Sequence, residues 1–152
     1  SEKAAKEIEK QVNKTVEQGG KIVLGGNRNG SCYEPTVIVD IPSNADVAKD
    51  MEIFGPVISV ISFDDDEEAV EIANSSIYGL SSCVFSKDQK RAYKIASQME
   101  AGGVVINGAS FFRSFEMPFG GWKHSGIGTE GVYSTFEEMT LSKTIILKDI
   151  VS

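Results

Sequence analysis

The sequence is poor in the residues that build self-contained active sites. It holds one histidine, His124, and two cysteines, Cys32 and Cys83, in 152 residues. A lone histidine excludes a histidine-based triad, a His–Cys pair and a His-rich zinc site. The two cysteines lie far apart, without C-x-x-C spacing, so they form neither a zinc knuckle nor a disulfide framework. No G-x-G-x-x-G opens a helix, and no phosphate-loop Lys-Ser/Thr motif is present. No apolar run approaches the roughly 18 residues a membrane span needs. Basic charge is also scarce: 15 Lys+Arg stand against 22 Asp+Glu, a net charge of −7. That balance argues against nucleic acid as a partner, because phosphate binding needs a basic field. Two unpaired cysteines fit a reducing, cytoplasmic setting. The sequence opens on Ser1, and no leader pattern is visible.

What is present is the patterning of a folded α/β chain. Ala5, Ile8, Val12 and Val16 recur at helical spacing, and Gly19-Gly20 stops that helix. Lys21–Leu24 and Thr36–Val39 read as strands. The Gly- and Asn-rich stretch 25–30 between them reads as a turn or loop. Residues 57–63 are β-branched and apolar, which predicts a buried strand. Asp64 with Glu67 and Ser86 with Gln89 offer capping boxes for two further helices. Their apolar stripes are Ala69, Ile72 and Ala73, then Ala92, Ile95, Ala96 and Met99. Strands are expected at 82–85 and 104–106.

Residues 57–107 therefore read strand, helix, strand, helix, strand. That order predicts an open parallel sheet with flanking helices. Such sheets carry their sites at the carboxyl ends of the strands, here near Phe63, Phe85 and Asn107. About 20 residues after Asn107 lack regular patterning yet hold five aromatics, which suits a functional loop. The acidic run 64–68 reads as a helix start favoured by the helix dipole rather than a metal site. Thr144–Ile150 predicts an apolar C-terminal strand that must find a partner.

Two segments are distinctive: Glu52-Ile53-Phe54-Gly55-Pro56-Val57, and the run from Met117-Pro118-Phe119-Gly120-Gly121-Trp122 through Gly128. With Tyr78-Gly79-Leu80 and the Ile106-Asn107 strand end, they closely resemble the C-terminal part of the NAD(P)-dependent aldehyde dehydrogenase superfamily. The resemblance runs in family order along essentially the whole chain. It implies residues 1–130 as the C-terminal part of a catalytic domain, and 131–152 as a tail with an oligomerisation strand that joins a neighbouring subunit. The alternative for that strand is an extra strand in this chain's own sheet.

In the family, a cysteine thiolate attacks the aldehyde, hydride leaves the thiohemiacetal for NAD or NADP, and a glutamate assists hydrolysis of the thioester. The cysteine and that glutamate lie upstream of the region this chain matches. Cys32, expected in a loop, and Cys83, expected in a buried strand, do not sit in the nucleophile's context. The chain is thus expected to carry no catalytic residue, to hold no metal and to be inactive alone.

The resemblance gives Glu52 as the carboxylate that binds the nicotinamide ribose, against an ordinary surface carboxylate. Phe54 is the aromatic beside the same ribose, against a plain core residue. Met51 stands where many members carry a second acidic residue. Phe119 corresponds to the aromatic lining the substrate tunnel. Arg113, after Phe112 in the variable substrate loop, resembles a subgroup that includes lactaldehyde, phosphonoacetaldehyde and non-phosphorylating glyceraldehyde-3-phosphate dehydrogenases. A guanidinium there suits a small anionic aldehyde. Its alternative is a loop-shaping pair with Glu116. Asn107 is expected to tie its loop to neighbouring backbone, Lys123 to face solvent or pair with a carboxylate, and His124 to lie on the surface. The implied partners are a small-molecule aldehyde and further copies of the chain, as a dimer or tetramer, with neither nucleic acid nor membrane. The competing reading is a free-standing, non-enzymatic α/β module that binds a protein through its aromatic loop and C-terminal strand.

Overall fold

A computed structural model describes residues 1–149. Helix α1, Glu2–Glu17, starts where the Ser1 hydroxyl accepts a hydrogen bond from the Ala4 N–H at 3.3 Å. Its apolar stripe buries Ala5, Ile8, Val12 and also Thr15, while Val16 is left partly in solvent. Gly19, at φ +114°, turns the chain off the helix.

Strand β1, Lys21–Leu24, then pairs antiparallel with β4, Thr36–Val39. Between them, where a turn or loop was expected over 25–30, β2, Arg28–Asn29, and β3, Cys32–Tyr33, form a small hairpin. Its tip at Gly30 takes φ +58°. Cys32 therefore lies on an exposed short strand rather than in a loop. On its other edge β4 pairs parallel with β5, Val57–Ser59, giving the order β1-β4-β5. Ile38, at the centre of this sheet, is wholly buried against Ile8, Val12, Ile41 and Ala45.

The second half holds helix α2, Asp66–Asn74, then β6, Tyr78–Gly79, β7, Ser81–Val84, helix α3, Gln89–Ala96, and β8, Gly103–Ile106. Strands β7 and β8 pair parallel from Ser81↔Gly103 to Val84↔Ile106 across the α3 crossover. Val84, Ala92 and Ile95 form their core, with Met99 and Ile106 against it. Arg91 and Lys94 on α3 reach Asp66 and Glu67 on α2, at 2.5 and 3.3 Å. The Arg91 guanidinium holds the Asp66 carboxyl below the usual carboxylate range. Strand β9, Trp122–Lys123, pairs antiparallel with β6, and helix α4, Val132–Glu138, follows. The sequence pattern left both β9 and α4 unassigned.

The fold is mixed α/β with open sheets, as expected, but its strands are shared out differently. The expected strand 57–63 stops at Ser59, and β5 does not pair with β7. The cause lies in β4, which ends at Val39 and turns away at Asp40, φ +55°. After the Val60 N–H has bonded to the Ile38 carbonyl at 2.8 Å, residues 61–63 have run past their partner. Val60 and Phe63 are consequently 45 % and 52 % exposed. Cys83 sits on a half-buried strand, less enclosed than predicted.

Both capping predictions move along the chain. Asp65, not Asp64, caps α2, accepting from the Glu68 N–H at 2.8 Å, while the Glu68 carboxylate accepts from the Asp64 N–H at 2.6 Å. Asp88 rather than Ser86 caps α3, and its carboxylate takes the N–H groups of both Lys90 and Arg91. Both bonds fall on Oδ1, and Ser86, two residues too early to reach these donors, accepts from the Asp88 N–H at 3.1 Å instead. The expected C-terminal strand does not form over residues 144–149, where Ile145, Ile146 and Leu147 are exposed. An extra strand in this chain's own sheet is thereby overturned for those residues. Ile150, the last residue of that expected strand, lies outside the described residues.

Candidate functional site

The segment carrying Glu52 and Phe54 is a short, closely tethered connection into β5. A 3-10 turn, Asp46–Ala48, precedes it, and the Met51 N–H returns to the Asp46 carbonyl at 2.9 Å. Gln11 of α1 donates from its side-chain amide to the Glu52 carbonyl at 3.2 Å. Gly55 passes so close to α1 that a Cβ would stand 2.6 Å from Ile8 Cδ1, and the next residue's carbonyl accepts from the Thr36 N–H at 2.8 Å. The backbone is therefore pinned to the core while the side chains of Glu52 and Phe54 face outward. Phe54 is 81 % exposed, so it is not a core residue.

Glu52 borders an open cleft of about 490 Å3, together with Asp50, Asn74, Tyr78, Glu100 and His124. Among the described residues no side chain or N–H bonds its carboxylate. A carboxylate without a partner on a cleft rim, with a bare aromatic ring two residues on, fits a ligand that has adjacent hydroxyls and a flat ring.

Phe112, Arg113 and Phe119 come together in a second cleft, of about 640 Å3, along β8. Arg113 lies with its guanidinium carbon 4.1 Å from the centroid of the Phe119 ring, a cation–π arrangement. Its nitrogen is 3.5 Å from a Glu130 carboxylate oxygen. The partner is thus Glu130 and not Glu116, whose carboxylate instead accepts from the Ser114 hydroxyl at 3.0 Å. The reason is a bridge between distant backbone: the Phe119 N–H bonds the Glu130 carbonyl at 2.8 Å, and the Glu130 N–H returns to the Phe119 carbonyl at 2.6 Å. That bridge sets Glu130 beside the residue under the guanidinium. Gly102 lets the chain ahead of β8 pass against the Gly120 carbonyl, where a Cβ would collide with the oxygen.

Leu80 and Ser81 line both clefts. The cleft bordered by Glu52 and the cleft of Phe112, Arg113 and Phe119 therefore adjoin beside the start of β7, while Phe54 lines neither. This differs from the expected position at the carboxyl ends of the strands. A cleft does exist there, lined by Phe85 and Asn107, but it holds none of the five candidates. Asn107 ties its loop as predicted: its Oδ1 accepts from the Ser86 N–H at 2.8 Å, and its amide donates to the Ser86 carbonyl at 2.9 Å. Lys123 pairs with Glu100 at 2.6 Å, and His124 lies at the surface. Sequence reasoning missed Glu130 and Asp50, since nothing in local spacing reports contacts made across 17 or 27 residues. No group of His, Cys, Asp and Glu among the described residues is placed to hold a metal, and no described helix is long and apolar enough to cross a membrane.

Comparison with known proteins gives this geometry its context. A profile of the aldehyde dehydrogenase family matches residues 1–145. A lactaldehyde dehydrogenase of Methanococcus maripaludis is 46 % identical over 99 % of the chain and 32 % of its own length. An aldehyde dehydrogenase from Physcomitrella patens, solved with the reaction product succinate, superposes with a TM-score of 0.87 at 43 % identity, covering 99 % of this chain and 31 % of that one. A glyceraldehyde-3-phosphate dehydrogenase from Methanocaldococcus jannaschii, complexed with NADP, gives a TM-score of 0.83 at 43 % identity over 91 % of this chain and 30 % of that one. The chain spans about a third of the length of the relatives it matches. By the extent of that match and the motifs it contains, the chain belongs to the aldehyde dehydrogenase family.

Proposed function

We propose that the chain is the C-terminal portion of an NAD(P)-dependent aldehyde dehydrogenase that oxidises a small anionic aldehyde to the carboxylic acid. The observation that carries this is the meeting of two clefts at Leu80–Ser81, one bordered by Glu52 and the other lined by Phe112, Arg113 and Phe119. Glu52 would accept hydrogen bonds from the ribose hydroxyls, and Phe54 would pack beside the ring they carry. When bound, the nicotinamide supplies the hydride acceptor. Arg113, stacked on Phe119, would draw the anionic end of the aldehyde by charge-assisted hydrogen bonds. Phe112 and Phe119 would keep water from the reacting carbon. The anionic preference is supported by relatives whose names carry succinate and a phosphorylated aldehyde.

The nucleophilic cysteine and the general-base glutamate belong to sequence upstream of these residues. Residues 1–130 form the C-terminal part of the catalytic domain. Residues 131–152 form a tail whose exposed Ile145, Ile146 and Leu147 pair with a neighbouring subunit in a cytoplasmic dimer or tetramer. The non-enzymatic alternative has one observation in its favour: Phe111 and Phe115 are almost fully exposed on the loop.

The test is an aldehyde-dependent NAD(P) reduction assay on the isolated chain and on the natural gene product that contains it. No turnover is expected from the chain. Turnover is expected from the gene product, unchanged when Cys32 and Cys83 are both replaced by Ser. Cysteine-dependent activity in the isolated chain, or its loss from the gene product in that double variant, would sink the proposal.

A further inference from the structure

The turn after α2 is gripped from two sides. From the cofactor side, the Asp50 carboxylate accepts from the Ile77 N–H at 2.9 Å and from the Ser76 hydroxyl at 3.4 Å. The Ser75 hydroxyl donates chiefly to the Ile72 carbonyl at 2.7 Å and lies 3.3 Å from the Ala48 carbonyl. Asp50 stands two residues before Glu52, so this grip fixes the base of the Glu52 segment. From the substrate side, the Lys123 ammonium donates to the Asn74 carbonyl at 2.7 Å and the Ser76 carbonyl at 2.9 Å, and pairs with Glu100 at 2.6 Å. All three of its donors are used. The next residue, His124, gives its N–H to the Ile77 carbonyl at 2.9 Å. Lys123 itself belongs to β9, the continuation of the loop that carries Arg113 and Phe119.

We infer that Asp50 and Lys123 are positioning residues that clamp the 74–77 turn between the cofactor segment and the substrate loop, so that each site holds the other in register. The inference rests on the cofactor and substrate roles proposed above. Neither residue touches the reacting atoms. Both work through the turn, whose N–H and carbonyl groups they hold by charge-assisted bonds. Hydrogen bonds to charged groups are the strong ones, and a small displacement of an aligned group is costly to rate. Because the two grips share one turn, loosening either one should be felt at both sites.

The experiment uses the natural gene product with Asp50→Ala, Asp50→Asn, Lys123→Met and the Asp50→Ala/Lys123→Met pair. Asp50→Ala is expected to raise the KM for the nicotinamide cofactor about tenfold, and Lys123→Met the KM for the aldehyde about tenfold, each by loss of a charged hydrogen-bonding group. Each variant also shifts the other KM in the same direction. Asp50→Asn keeps the Oδ1 acceptor without its charge and restores part of the loss. The double variant falls short of the product of the two singles.

Variants that lower the melting temperature but leave both KM values alone would overturn the clamp. So would an Asp50→Asn that behaves like Asp50→Ala, or a double variant whose losses multiply. Glu52→Gln, measured alongside, separates the levels. An unaffected Glu52→Gln overturns the cofactor role beneath the clamp; an affected one beside an unaffected Asp50→Ala overturns the clamp alone.

Discussion

Replacing Glu52 by Gln slows hydride transfer in the natural gene product by about 10- to 100-fold, the span that loss of charge-assisted hydrogen bonds worth roughly 1.5–3 kcal/mol produces. The substitution keeps the size and shape of the side chain and removes only its charge and half of its accepting capacity. It leaves the fold alone, because the protein holds Glu52 through its backbone carbonyl, bonded by Gln11, and not through its carboxylate. A ribose bound by one carboxylate is gripped through two hydroxyls at once. An amide in its place accepts one of them and presents N–H to the other. The ring the ribose carries then samples a wider range of positions over the aldehyde carbon, and transfer falls steeply with misplacement. Single-turnover appearance of the reduced nicotinamide measures the step directly. A rate equal to the parent's would remove Glu52 from the cofactor site.

Arg113→Ala separates substrates by charge. The kcat/KM for an aldehyde bearing a carboxylate, sulfonate or phosphate is expected to fall about 10- to 100-fold, while a neutral aldehyde of the same length changes less than about threefold. The Phe119 ring lies under the guanidinium, and Glu130 holds one of its nitrogens at the long distance of 3.5 Å. An exposed pair of that length is weak, worth about 0.2–1 kcal/mol. A bidentate anion from the substrate competes well with it. Arg113→Lys keeps the charge without the fork and is expected to recover only part of the loss. If neutral and anionic substrates lose equally, Arg113 serves only to shape its loop.

Much of the fold is legible in the residue pattern because the signals concerned are local. The stripe Ala5, Ile8 and Val12 gave α1, and the stripe Ala92 and Ile95 gave α3, since an amphipathic helix advertises its buried face every three or four residues. Strands β1, β4, β7 and β8 were legible in the same way. The arrangement of strands was not. Whether 57–63 forms one long strand depends on how far β4 runs beside it, and β4 ends where Asp40 turns. Capping residues slipped by one or two positions at Asp65 and Asp88, because neighbouring Ser and Asp residues compete for the same N–H groups and only geometry chooses among them.

At the candidate site, the motif residues Glu52, Phe54, Phe112, Arg113 and Phe119 were all named by resemblance. The structure brings the last three into one cleft. Their supports were hidden. Glu130 reaches Arg113 through a backbone bridge, and Asp50 reaches Ile77 across 27 residues. Such contacts leave no periodic trace. At Phe54 the bare ring removes the alternative of a plain core residue.

The intact mass of the natural gene product bears most directly on whether these residues are part of a larger enzyme. A match covering 32 % of a relative's length predicts a product about three times as long as the 152 residues here, with a cysteine nucleophile upstream of Ser1. A product of only these residues, folded and monomeric, would contradict it: the two clefts would then have no nucleophile to serve, and the aromatic loop would stand as a binding surface for another protein.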